Sequence, residues 1–397
     1  MSVAGCVLAL LAPARALAQT AGDEASSARI RIGPLGLTPQ ISITNFGMDT
    51  NVYRTSDSPT RDFMATMSPA LSSWLHLGRA QVSARSSVQW IYFGQSASER
   101  SVGRSQSVQG ELHLTRVTPT AGVSFLHTEQ AASLELDQRV PQTTVTQHAG
   151  LGIELTPSVS VTADGSWTAY RLDRLADATE TSYADSLDRH TAAATASFRY
   201  IATPLTTFVV KATSQQDRFD VSPLRNSDSL SVQPGVEFKP FALISGSAYV
   251  GIRRFRALDP SVPNYTGPTA SVILNYTAAD MTRVSVNVQR DLAYSYEVDQ
   301  PYYLSTGADL SVTQMLGPNW DVVVRGGRTR LSYQNVIGVT TDLGRKDLMK
   351  SWGVGLGRHL PSGVRVGFDL DYLSRASEVS GRGFHGFRLG GTVTYGS

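Results

Sequence analysis

Between Val364 and Tyr372 the chain alternates without a break. Val364, Val366, Phe368, Leu370 and Tyr372 share one parity, and Arg365, Gly367, Asp369 and Asp371 share the other. A period of two is the mark of a β-strand, because successive side chains leave opposite faces of the pleat. The same pattern precedes it, with Trp352, Val354 and Leu356 set against Gly353, Gly355 and Gly357, and follows it from Phe387 to Tyr395. These segments run about 10 to 15 residues, whereas strands of soluble proteins are commonly about 5 to 6. A soluble sandwich would also have to build its core from a face that is often only Gly, Ala or Thr. Long strands with one apolar and one polar face describe a transmembrane barrel, with lipid on one side and a polar lumen on the other.

The remainder of the chain repeats the theme. Val82, Ala84, Val88, Trp90 and Tyr92 oppose Gln81, Ser83, Arg85 and Gln89, and Val284, Val286, Val288, Leu292 and Tyr294 oppose Arg283, Ser285, Asn287, Gln289 and Asp291. Short turns recur at Gly78-Arg79, Thr118-Pro119, Thr156-Pro157, Thr203-Pro204, Lys239-Pro240, Ala279-Asp280, Gly317-Pro318-Asn319 and Pro361-Ser362-Gly363. Longer polar segments alternate with them, among them Glu129 to Gln142, Leu172 to Ser186, Val298 to Gln300 and Asn335 to Lys346. Short periplasmic turns opposite long outer loops are the barrel arrangement. The expectation is an all-β, antiparallel transmembrane barrel of about 18 strands, with 16 as the alternative. Tyr53, Trp90, Tyr92, Phe93, Trp167, Tyr294, Tyr296, Trp320 and Tyr333 stand near strand ends, as aromatic girdles do.

Four places strain this reading. Arg253, Arg254 and Arg256 crowd one strand, whose lipid-facing cations must snorkel to the headgroups. The segment Asp321 to Tyr333 changes phase near Gly326-Gly327, which predicts a bulge. Pro69 and Pro234 fall inside strands, where a missing N–H predicts further bulges.

At the N-terminus, the short apolar run Val3 to Ala12 and Ala16-Leu17-Ala18 before Gln19 predict a secretory signal over residues 1–18. A polar periplasmic lead-in over 19–36 and a barrel over 37–397 follow. Cys6 is the only cysteine and would leave with the signal, so no disulfide and no Cys metal site is expected. The seven histidines show no H-x-H or H-x-x-x-H spacing, so no metal or other cofactor is expected. A near-neutral charge without basic blocks argues against nucleic acid. Gly353 to Gly357 imitates a phosphate loop, but its period of two with no following helix excludes that. No catalytic constellation stands out, and an enzyme is not expected.

The functional signal is therefore the inner face. Its charged candidates for lining a pore are Arg85, Glu111, His148, Glu154, Asp164, Lys211, Glu237, Asp291, Asp309, Arg365, Asp369, Asp371 and Arg388. Both signs occur among many Ser, Thr, Gln and Asn, which suits a polar solute in a barrel wide enough for water.

Gly47-Met48-Asp49-Thr50-Asn51-Val52-Tyr53 resembles the opening strand of a family of outer-membrane β-barrel porins with the pattern G-[YF]-D-x-N-[VI]-[YF], Met48 replacing the usual aromatic. Members of that family often accompany exopolysaccharide synthesis and secretion machinery. The resemblance implies an integral outer-membrane channel conducting a polysaccharide, with lipid and a periplasmic export machinery as partners. A general or sugar-selective diffusion porin, and a structural or adhesive barrel with a closed lumen, are the alternatives. An inward-folded loop narrowing the pore would favour the porin. From the residues alone, Asp49 and Asn51 are expected to shape a turn, ahead of contacting a cation or sugar.

Overall fold

The computed structural model describes residues 28–129, 134–135, 139–172, 187–239, 243–279, 281–340, 344–361 and 363–396. The predicted signal, Phe241 and most of the Leu172 to Ser186 loop lie outside them.

The chain is a closed antiparallel barrel. A short strand β1 (Ile30–Ile32) pairs with the start of β2 (Leu35–Asp49). Then come β3 (Asp62–Leu77), β4 (Ala80–Phe93), β5 (Ser101–Leu112), β6 (Val117–Thr128), β7 (Gln142–Thr156) and β8 (Val159–Leu172). The far wall is β9 (Arg189–Thr203), β10 (Thr206–Phe219), β11 (Ser227–Phe238), β12 (Ile244–Ala257) and β13 (Tyr265–Ala278). The circle finishes with β14 (Thr282–Tyr294), β15 (Tyr302–Leu316), β16 (Trp320–Gln334), β17 (Lys346–His359), β18 (Val364–Ser377) and β19 (Phe384–Tyr395). Each of these 18 wall strands pairs with the next, and β19 returns to β2. Closure is what lipid demands, since an unpaired strand edge would leave N–H and C=O groups with no water to satisfy them.

The alternation sets the faces. Outward lie Trp90, Val108, Val123, Leu151, Phe198, Phe208, Val250, Leu310, Val354 and Phe368, all exposed. Inward lie small and polar side chains, many of them buried, such as Thr66, Ser72, Thr195, Ser197, Glu237, Asp321, Thr392 and Thr394. Tyr53, Trp90, Tyr92, Trp167 and Trp320 are exposed, as girdle residues are, but Phe93, Tyr296 and Tyr333 are buried. Tyr294 packs against Phe219.

Three of the predicted bulges are absent. β16 keeps one register with both neighbours through Gly326 and Gly327. The sequence pattern switches phase because outward residues beyond Gly326 are polar (Arg328, Arg330, Ser332), while inward Leu331 and Tyr333 are buried under a loop. Pro69 pairs with Ile41 but lies between bridges on its β4 side, and Pro234 pairs with Val210 but lies between bridges on its β12 side. Register holds at both, because only two adjacent ladder positions are lost on one side of each proline. Real shifts occur elsewhere, chiefly on both sides of β2: between Gly391 and Val393 where it meets β19, and between Thr44 and Gly47 where it meets β3, beside Asn45 with φ of 54°. Arg253 faces inward and Arg254 and Arg256 face outward, so the crowded strand keeps its alternation too.

Candidate functional site

Two structures occupy the interior: ion-paired side chains along the wall, and a hairpin tip across the long-loop mouth, which is the extracellular end by the barrel rule.

The wall network is built on glycines. Inward-facing Gly353, Gly355 and Gly357 of β17 leave a bare strip between β16 and β18. A Cβ at Gly353 would collide with Asp371 Oδ1, one at Gly355 with Asp369 Oδ1, and one at Gly357 with the Arg365 guanidinium. The strip lets charges reach across a strand. Arg325 of β16 grips Asp371 of β18 through Nε (2.6 Å) and Nη2 (2.7 Å), and its Nη1 donates to Asp369 Oδ1 (3.2 Å). Arg365 returns the contact, clamping Asp321 through Nε (2.7 Å) and Nη2 (2.6 Å), with His359 Nε2 on the same carboxylate at 2.7 Å. Bidentate forks of this kind are the stronger ion pairs. Across the lumen Glu237 joins Arg199, Tyr249 and Lys211, and Arg253 Nη1 donates to Asp291 Oδ1 at 2.8 Å.

The thirteen charged candidates share the inner face by parity and register. Glu237, Lys211, Asp291, Arg365, Asp369, Asp371 and Arg388 enter ion pairs. Asp309 lies over Gly327, Asp164 over Gly150 and the His148 ring over Gly122, each where a Cβ would collide. Glu111 accepts from Gln109 Nε2 at 2.8 Å, while Arg85 and Glu154 stay exposed on the inner face. The sequence reading missed Arg199, Arg253, Asp321 and Arg325. The signal for the last two was there: they keep one parity with Gly327 along β16.

The opening motif closes the barrel. Asp49 accepts from the Asn51 N–H (2.9 Å), an Asx turn, and its other oxygen takes Arg388 Nε of β19 at 2.7 Å. Asn51 Nδ2 donates to the carbonyls of Thr55 (2.8 Å) and His385 (2.9 Å). Gly47 passes so close to β19 that a Cβ would strike the Leu389 carbonyl.

The mouth holds the larger surprise. β14 stops pairing with β13 at Arg290 yet stays paired with β15 through Tyr294 and Tyr302. The end of β14 thus leaves the wall while β15 stays paired with β16 as far as Tyr302–Gln334, and the β14–β15 tip is buried on both faces. Tyr302 packs with Phe255, Val262 and Leu292, and Tyr303 packs with Leu331 and Tyr333. Leu292 and Tyr294 therefore do not face lipid as their parity predicted. The Tyr294 hydroxyl reaches Asp217 Oδ2 (2.8 Å) and Ser227 Oγ (2.6 Å), several strands away.

Loops from around the circumference fasten the tip. Arg225, between β10 and β11, donates to the carbonyls of Ser295 (2.8 Å) and Glu297 (2.9 Å). Glu135, between β6 and β7, accepts from Ser295 Oγ (2.8 Å) and the Tyr296 N–H (3.3 Å). Arg345 donates to Gln300 Oε1 (3.0 Å), and Arg382 binds Glu297 Oε1 (2.6 Å) and the Tyr296 hydroxyl. Arg375 holds the Leu134 and Glu135 carbonyls and the Asp347 carboxylate. Burial pushes the Glu135 carboxyl up to about 7, although Arg345 and Arg382 draw it down. Partners on four separate inter-strand connections place the tip across the opening. Among the described residues no cluster of three metal-ligating side chains exists, and no helix is long and apolar enough to cross a membrane.

The structure of the outer membrane protein OpdK from Pseudomonas aeruginosa is similar over 90% of this chain and 98% of its own, with 14% identity and a TM-score of 0.48. A BenF-like porin from Pseudomonas fluorescens Pf-5 is similar over 92% and 98%, with 12% identity and a TM-score of 0.49. No curated protein matches the sequence. A family described as "putative beta-barrel porin 2" matches residues 27–395, nearly the whole chain. Its members are channels of the bacterial outer membrane, not enzymes. This chain, an 18-stranded barrel with a lined interior, belongs to that porin family.

Proposed function

We propose that the protein is a diffusion porin for small polar solutes, narrowed at its extracellular mouth by the β14–β15 tip. The observation that carries this reading is the tip itself, fastened by Arg225, Glu135, Arg345 and Arg382. A conduit for a growing polysaccharide needs a clear bore, and here it would first have to release those contacts. The wall beneath, with acids and bases largely paired among hydroxyls and amides, imposes no strong sign of charge, so neutral and weakly charged solutes pass best. The thirteen inner-face charges line the solute path in this reading, and periplasmic export partners belong to the conduit alternative only.

Liposome swelling with a graded series from monosaccharide to long glucan tests the proposal. Permeation should fall steeply with solute size. Equal entry of long glucans and monosaccharides would transfer the assignment to polysaccharide conduction.

A further inference from the structure

The outer wall carries a second feature that solute passage does not use. On β16 the outward side chains run Trp320, Val322, Val324, Gly326 and then Arg328 and Arg330. Register places Trp352 beside Gly326, and Trp352 stacks with Tyr372, which meets Phe387. That aromatic row, with Trp352 and Phe387 exposed and Tyr372 half-buried between them, marks an interface level. Trp320 to Arg328 is eight residue steps, about 27 Å along the strand and roughly 20 Å in height at a tilt of about 40°. Arg330, two residues further on, therefore stands at the edge of an apolar band of about 25 Å, and Arg328 lies about 5 Å inside it, within reach of the edge by its side chain.

At this level cations gather. Lys350 lies directly opposite Arg328, and Arg330 is two residues further out. Arg330 pairs with Thr306, which pairs with Arg290. Arg328, Arg330 and Lys350 are exposed and make no ion pair with any described residue. Like charges directly opposite on one face repel, so an anion lying between them would be drawn in by both. Elsewhere the wall supplies its own anion: outward Arg218 is paired with Asp228 at 2.7 Å. On β16 and β17 it supplies none.

We propose that Arg290, Arg328, Arg330 and Lys350 form a docking surface for a phosphorylated glycolipid headgroup of the outer leaflet. Direct cross-strand neighbours are about 5 Å apart and next-but-one strands about 10 Å, so two cations can share one phosphate while a third reaches another on the same headgroup. The ligand is a membrane lipid because the patch stands on the lipid-facing wall at headgroup height. Its phosphate is the recognised group because a bound anion turns the Arg328–Lys350 repulsion into two attractions.

The test uses the full chain refolded in neutral detergent, titrated with bisphosphorylated lipid A, its dephosphorylated form and a zwitterionic phospholipid. Binding is read by native mass spectrometry and by the shift in melting temperature. The bisphosphorylated form should bind the native protein in preference to the other two and raise its melting temperature. Each cation near an anionic surface is worth about five-fold in affinity, so the triple substitution Arg328→Gln, Arg330→Gln, Lys350→Gln should weaken binding about 100-fold. If that variant fails to refold, Lys350→Gln alone should weaken binding about five-fold and added salt should erase the difference. Equal binding of phosphorylated and dephosphorylated lipid A would overturn the proposal. So would undiminished binding by the variants, or a variant whose only change is in the association of protein copies.

Discussion

Arg225→Ala removes the most central fastening of the tip. Arg225 is 3% exposed, and its guanidinium donates to the Ser295 and Glu297 carbonyls, with a further contact to Ser222. A hydrogen bond from a charged donor contributes about 1.5–3 kcal/mol, so losing two costs about 3–6 kcal/mol if the carbonyls stay dry. Water entering the vacated space returns part of this, leaving about 3 kcal/mol, or roughly a 150-fold shift away from the docked tip. The barrel ladder does not include Arg225, so the folded wall should keep its stability. Single-channel recording in planar bilayers should show longer and larger open steps than the native channel, with an unchanged melting temperature. Arg225→Lys should rescue poorly, since a single ammonium cannot reproduce the fork. Native step sizes and dwell times in Arg225→Ala would refute the reasoning, because the tip would then not govern conduction.

Three further outcomes follow from the interior. Burial raises the Glu135 carboxyl to about 7 when docked against 4.5 in water, so docking should be fully supported below about pH 4.5 and weaken as pH rises from there to about 7, by at most about 3 kcal/mol. Open probability should therefore rise from pH 5 to 8, and Glu135→Gln should flatten that profile near its acid limit. Gly355→Val would push a side chain into the space of the Asp369 carboxylate and should lower stability by about 1–3 kcal/mol in urea unfolding; an unchanged midpoint would count against the glycine strip. Asp321→Asn keeps the shape but strips the charge from the fork to Arg365, and a loss of about 2–3 kcal/mol, read by the same unfolding, is expected.

The wall was legible because a period of two needs only neighbouring residues. Val364 to Tyr372 and Val82 to Tyr92 declare their faces, and counting turns yields the strand number. The mouth was not legible, because its contacts join Glu135, Arg225, Ser295, Arg345 and Arg382, residues with no common period and long separations. The same tip caused the misread faces. Leu331 and Tyr333 look lipid-facing because they are apolar, yet they are apolar to meet a loop inside the barrel. Arg328 and Arg330 look lumenal because they are charged, yet they stand outside at headgroup height. The opening motif was read correctly as a turn at Asp49 and Asn51, while its partner Arg388 on the last strand required the closed ring.

The central claim is that the β14–β15 tip sets what the channel passes. Unitary conductance, measured with residues 295–300 replaced by a short Gly-Ser turn and compared with the native protein in the same bilayer, tests it most directly. The account expects a several-fold larger unitary conductance and entry of larger sugars in the replaced channel. Equal conductance and an equal size limit in the two proteins would contradict it.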